Sequence, residues 1–256
     1  MSHPQQLGFL KQVISILPND VSVRILDLGS LDINGGIRPF LPRNFEYLGV
    51  DLEIGPNVDL ACEAQLLDLK SEQFDLVISS ELFEHTPFWK EIFAQMCRLT
   101  KPGGIVAFTC AGVGRPEHGT TRSDKGFSSP FTVSKGDEYY GNVPRSEASR
   151  AIALKSWFTA YSFFDEYSSK DLYFVGLRAQ GELVQQVEFN KLLKVLQAKY
   201  PVKWYKLRYW SLKFLPFPIT DVYLRISHKY SYLVKHFIYN LYVDSGLRNK
   251  RHASKL

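Results

Sequence analysis

Cysteine is scarce: Cys62, Cys97 and Cys110 are the only three in 256 residues. None stands at metal-ligand spacing, so the sequence offers no zinc motif and no metal site is expected. An odd, sparse set also excludes a disulfide scaffold and suggests reduced, mostly buried thiols in a cytoplasmic protein. Long apolar runs are missing too. No uninterrupted stretch approaches the ~18 residues that would span a bilayer. The first residues lack the charged-then-apolar pattern of a secretory signal. There is no Gly-x-Gly-x-x-Gly, no internal repeat and no low-complexity tract, which argues against a dinucleotide-dependent oxidoreductase and a solenoid. With 45% hydrophobic and 22% charged residues, the chain is neither disordered nor fibrous. At roughly 150 residues per domain it has room for one large domain and an appendage.

Charge is unevenly spread. The overall excess is +5. Residues 1–180 hold 17 Lys and Arg against 22 Asp and Glu, whereas 181–256 hold 14 against 4. An acidic body therefore precedes a basic, aromatic C-terminal part, a split that suggests an anionic partner. Two parts are expected: a domain over 1–180 and a mostly helical extension over 181–256.

The pattern along the body alternates strands and helices. Residues 7–17 are apolar at helical spacing and stop at Pro18-Asn19-Asp20. Short apolar runs at 21–28, 47–50 and 74–79, with a weaker one at 58–62, read as buried strands. Thr86 and Pro87 suit the cap and first position of a helix whose stripe is Phe88, Ile92, Phe93, Met96 and Leu99. Lys101-Pro102-Gly103-Gly104 reads as a turn before a fifth strand at 105–110. A Gly-, Ser- and Pro-rich loop fills 111–145, 146–158 read as helix, and 163–167 with 172–178 read as a hairpin. These elements predict a three-layer, doubly wound, mostly parallel α/β sheet.

In such sheets ligands bind beyond the carboxyl ends of the strands. The first end is Asp27-Leu28-Gly29-Ser30, and the second is Gly49-Val50-Asp51, 22 positions after Gly29. A carboxylate at that distance can accept hydrogen bonds from both hydroxyls of a ribose. Four motifs in order then bring a family into view: Asp27-Leu28-Gly29, Asp51, Glu84-His85 and Lys101-Pro102-Gly103-Gly104. Over residues 20–180 the chain resembles the class I S-adenosylmethionine-dependent methyltransferases. The resemblance implies a seven-stranded sheet of Rossmann-like kind with an antiparallel seventh strand inserted. It implies that Asp27, Gly29 and Ser30 line the methionine end of S-adenosylmethionine. Asp51 would bind the ribose, Leu52 would pack by the adenine, and Glu63, with Asp59 second, would meet its amino group. Ser79 would touch the cofactor through its backbone. The family's usual second glycine is replaced by Leu31, so the first loop is expected to run on, differently shaped, through Gly35.

The loop after the fifth strand faces the acceptor in this family. His118 is the candidate general base, Tyr139 and Tyr140 are candidates to stack on a sugar or aromatic acceptor, and Arg115 or Arg122 could hold a phosphate or carboxylate. His85 reads mainly as a packing residue beside the fourth strand. In the C-terminal part, 182–200 look like an amphipathic helix, 202–218 mix basic and aromatic residues, and a second stripe begins at Val222. This extension is expected to pack on the body or on a second copy in a homodimer; the functional alternative is docking of 202–243 to an anionic membrane surface. Nucleic acid ranks last, since the body is acidic and no RNA-binding motif occurs. The expected activity is methyl transfer to an oxygen of a saccharide or lipid-linked glycan, in the cytoplasm or at the inner face of its membrane. The alternatives are a small-molecule or RNA acceptor, or a non-catalytic scaffold working through its tail.

Overall fold

A computed structural model describes residues 3–33, 35–123 and 139–200. The chain divides into two units, and all described residues except the turn 167–169 belong to the first. Its elements are α1 (Pro4–Ile14), β1 (Val23–Leu28), β2 (Phe45–Asp51), β3 (Leu60–Ala61), β4 (Phe74–Ser80), α2 (Trp89–Leu99) and β5 (Thr100–Ala111). After the loop come α3 (Arg145–Ala151), α4 (Leu154–Trp157), β6 (Phe158–Glu166), β7 (Asp171–Arg178) and α5 (Leu183–Lys199).

The seven strands form one sheet in the order β3-β2-β1-β4-β5-β7-β6. β1 to β5 run parallel, and β7 lies antiparallel between β5 and β6. Both faces are apolar because the pleat sends alternate residues to opposite sides. Leu26, Leu28, Val106 and Phe108 pack on the face covered by α2 and α3. Val23, Ile25, Ile105 and Ala107 pack on the other, against Phe9 and Val13 of α1 and Phe189, Leu192 and Leu196 of α5. A fully buried Phe or Leu contributes about 1.5–3 kcal/mol, so these two layers supply the stability and fix the register. The parallel strands end on one side, where Asp27, Asp51 and Ser80 stand together.

Three expectations change. α2 starts at Trp89, not Pro87: Thr86 Oγ1 accepts the Phe88 N–H at 3.2 Å, closing a turn ahead of the helix. Trp89 is buried in consequence, and Phe88, expected in the core stripe, is exposed. Lys101-Pro102-Gly103-Gly104 is not a free turn but part of a long β5 whose register jumps from Phe74↔Thr100 to Leu76↔Ile105. Gly103 (φ +73°) makes that irregularity; a Cβ there would lie 2.8 Å from Gly181 Cα. The body also runs past 180, since α5 buries its apolar face in the same core. The expected helix from Val222, the aromatic stretch 202–218 and the segment 124–138 lie outside the described residues.

Candidate functional site

One cavity opens at the carboxyl ends of β1, β2 and β4. Its floor is the loop after β1. Gly29 (φ +79°) and Gly35 (φ +110°) line it in left-handed conformations that other residues adopt only under strain. The loop is tied to β2: Gly29 and Ser30 donate their N–H groups to the Val50 carbonyl at 2.8 and 3.2 Å. Leu31, where the family's pattern has glycine, also lines the cavity, and it lies against Gly55; a Cβ on that glycine would sit 2.4 Å from Leu31 Cδ1. Asp32 closes the detour by accepting the Gly35 N–H at 2.6 Å.

Two carboxylates face this space. Asp51 accepts the Leu31 N–H at 3.0 Å and the Leu52 N–H at 2.7 Å, one on each oxygen. Each oxygen keeps a further lone pair for a ligand hydroxyl. Burial pushes its carboxyl up, and the two backbone donors oppose that shift. Asp27 is 4% exposed. Tyr47 donates its hydroxyl to Asp27 Oδ2 at 2.8 Å, while Oδ1 has no hydrogen-bond partner. Burial raises this carboxyl to about 7. A carboxylate with one open oxygen on a cavity can accept a cation such as an ammonium.

Ser30, Leu52, Glu63, Cys62 and Ala64 complete the cavity on the β2–β3 side. Asp59, the second candidate for the adenine, is elsewhere. Its Oδ2 accepts the Gly49 N–H at 2.8 Å and so shapes the turn that follows β2. Ser79 also falls outside the lining, because β4 continues one residue further than expected. Ser80, Glu81 and Leu82 face the cavity instead, and Ser79 is wholly buried in the sheet.

The acceptor side differs more from expectation. Arg115 is not available to hold an anion. Its Nη1 lies 2.7 Å from Glu81 Oε2 and bonds Asp171, and the side chain is 10% exposed. Asp171 also takes His3 Nε2 at 2.8 Å and the Tyr173 hydroxyl at 3.2 Å. This buried network ties α1, the end of β4, the loop after β5 and the start of β7. Arg122 pairs with Glu117 at 2.7 Å. His118 does not line the cavity; its imidazole is packed behind His85, ring centroids 5.1 Å apart and perpendicular. Burial holds His118 down at about 4, so it is a poor proton acceptor at neutral pH. Tyr140 donates its hydroxyl to the Pro116 carbonyl at 3.0 Å and lies edge-on to both histidines. Tyr139 is half-buried beside Gly141.

Sequence reasoning missed Glu81 and gave His85 a packing role. His85 and Gly119 in fact line the cavity beside Glu81. Gly119 (φ +69°) presses on the His85 ring, where a Cβ would come 2.6 Å from Cε1. The spacing Glu81-x-x-Glu84-His85 was a readable signal: a tight turn after a parallel strand aims several of its side chains at the strand-end cavity.

The sheet order and the inserted antiparallel strand are those of a Rossmann-like methyltransferase fold, with one carboxylate at the end of β1 and another at the end of β2. Residues 35–108 match the family model described as a methyltransferase domain. No curated protein matches the chain. Among solved structures, it is similar to Haemonchus contortus phosphoethanolamine N-methyltransferase 2 in complex with S-adenosyl-L-methionine, at 18% identity and TM-score 0.47, covering 69% of this chain and 52% of that one. It is also similar to the CurJ carbon methyltransferase, at 16% identity and TM-score 0.45, covering 65% and 51%. A third is Burkholderia thailandensis 1,6-didemethyltoxoflavin-N1-methyltransferase, at 14% identity and TM-score 0.43, covering 62% and 72%. The chain thus spans about half the length of the first two.

Proposed function

We propose that the chain transfers the methyl group of S-adenosylmethionine to an oxygen of a saccharide or lipid-linked glycan. The observation that supports the cofactor half is the pair of carboxylates on one cavity: Asp51, half-buried and with a free lone pair on each oxygen, for the ribose, and Asp27, buried and with an unpartnered oxygen, for the ammonium of the methionine moiety. The cavity residues fit the cofactor in kind, since glycines admit it closely and Leu52, Cys62 and Ala64 offer an apolar wall for adenine. The acceptor half rests on chemistry. The loop after β5 is polar, with Tyr139 and Tyr140 near its end, a composition suited to a sugar. Transfer from a sulfonium is an in-line substitution, so the acceptor oxygen must be held behind the methyl carbon and its proton removed.

Calorimetric titration with S-adenosylhomocysteine tests the cofactor half. Micromolar binding is expected. Asp51→Ala should weaken it about a hundredfold, the loss of two hydrogen bonds to a charged group. Binding should also tighten with pH. Asp27 near 7 is mostly protonated at pH 6 and mostly ionised at pH 8, and only the ionised form pairs with an ammonium. Affinity should therefore rise about tenfold across that range, and Asp27→Asn should flatten the rise. A pH-independent wild type would count against an ammonium at Asp27.

The basic tail belongs to the same reading. Trp204, Tyr205, Tyr209 and Trp210 stand among lysines and arginines, the composition of a segment lying in a headgroup layer. We infer a peripheral position at the inner face of a membrane, beside a lipid-linked acceptor. Co-sedimentation with anionic vesicles, abolished by high salt, is the expected result; equal pelleting with neutral vesicles would refute it.

A further inference from the structure

The methyltransferase reading leaves one cluster unexplained. Glu84, His85 and His118 bring ligand atoms within 4.8 Å of one another behind the cofactor cavity. Glu84 is fully buried, His85 is 7% exposed, and the His118 side chain is 16% exposed. Both oxygens of Glu84, Nδ1 of His85 and Nε2 of His118 have no hydrogen-bond partner. Buried polar atoms are nearly always satisfied, so four such atoms in one place need an explanation.

The geometry of His118 narrows it. Its Nδ1 lies 3.2 Å from both the Pro116 carbonyl and the Tyr140 hydroxyl, which anchor the ring at that nitrogen. Its Nε2 is turned toward Glu84, 3.7 Å from Oε1. That gap is too long for a hydrogen bond, so neither atom satisfies the other. A backbone carbonyl behind a ring nitrogen is also the usual support of a metal-ligating histidine. Gly119 adds a second support. Its left-handed backbone lies on the His85 ring and fixes it at the cavity wall.

We propose that Glu84, His85 and His118 bind a divalent first-row cation, and that this cation holds the acceptor hydroxyl beside the cofactor. Two imidazoles and one carboxylate suit ions of the Mn2+ to Zn2+ series and leave coordination positions open. Metal–ligand bonds of about 2.0–2.2 Å would draw these atoms closer together than the 4.8 Å within which they now lie. The favoured acceptor is a vicinal diol, as on a sugar ring, because two adjacent oxygens can chelate one ion.

The inference rests on the methyl-transfer reading for its purpose, not for its site. In the step, the metal-bound hydroxyl loses its proton to water, the ion having lowered its pKa. The oxygen then forms the O–CH3 bond while the S–CH3 bond breaks. The bonding pair passes to sulfur, and S-adenosylhomocysteine leaves.

The test uses the full chain, stripped with a chelator and titrated with Mn2+ alone, following the free-ion paramagnetic signal. One Mn2+ per chain is expected, displaced by Zn2+. Glu84→Gln and His118→Ala should each weaken it at least about tenfold while S-adenosylhomocysteine binding stays within a few-fold of wild type. Should either variant fail to fold, pulsed EPR of Cu2+ bound to the wild type detects the remote nitrogen of a ligating imidazole directly. The site is refuted if the wild type binds S-adenosylhomocysteine but neither Mn2+ nor Zn2+. It is also refuted if both variants bind Mn2+ as wild type does, or if bound Cu2+ shows no imidazole nitrogen in its pulsed EPR signal. Metal binding without S-adenosylhomocysteine binding would uphold the site and overturn the methyltransferase reading.

Discussion

Gly29→Arg is expected to abolish S-adenosylhomocysteine binding altogether. Gly29 has φ +79° and lines the cavity, and a Cβ on it would lie 3.0 Å from the Leu82 Cβ. An L-residue in that conformation is strained by about 1–2 kcal/mol. The strain alone is tolerable for a domain of this size. The larger effect is steric and electrostatic. The guanidinium would enter the space beside Asp27 and pair with its free Oδ1, the atom offered to the cofactor ammonium. A thermal melt a few degrees below wild type, with no heat of binding, is the predicted pair of results. Wild-type affinity in this variant would remove the cofactor from the cavity assigned to it.

The second large effect concerns stability. Arg115→Met should cost about 3–5 kcal/mol, because it leaves the buried Glu81 and Asp171 carboxylates without their shared cation. The deficit should depend on pH with a defined sign. Burial already raises Glu81 to about 7, above its ordinary 4.5. A carboxyl whose folded pKa is raised binds protons more tightly when folded, so its contribution is most favourable below 4.5 and is lost as pH rises through 7. Without the guanidinium the carboxyl rises further. The melting deficit of Arg115→Met should therefore be smaller at pH 5 than at pH 8. A deficit equal at both values would show that Arg115 acts through packing and not through charge.

Much of the cofactor cavity was legible in the residue order. Parallel strands bury both faces, so their apolar runs stand out, and the residues closing those runs must face the ligand side. Asp27, Gly29 and Asp51 were found that way, because strand ends are local features. Ser79 was misplaced by one position, since the length of a strand depends on how far its neighbours pair with it. The start of α2 was misplaced for a related reason: Thr86 and Pro87 satisfy the rules of a helix start, but the tight turn at 83–85 uses Thr86 first.

The acceptor side was less legible. Arg115 in a polar loop reads as an exposed anion holder. Whether it is one depends on Glu81 and Asp171, which come from two distant strands and meet only after the sheet assembles. His118 reads as a titrating histidine because exposure is assumed for a loop; its burial against His85 and Tyr140 is a property of packing.

The sequence by itself determined the layered α/β class, the strand-end residues Asp27, Gly29 and Asp51 that line the cavity, and the split between acidic body and basic tail. These follow from local periodicity, from single residues at strand ends and from charge counts, none of which requires knowing what lies across the fold. Tertiary structure decided which charges are buried together and which polar atoms are left unsatisfied. It turned Arg115 into a clamp and His118 into a neutral ring facing Glu84. The desolvation and close approach that set those states arise only when β4, β7 and the loop after β5 are brought to one place.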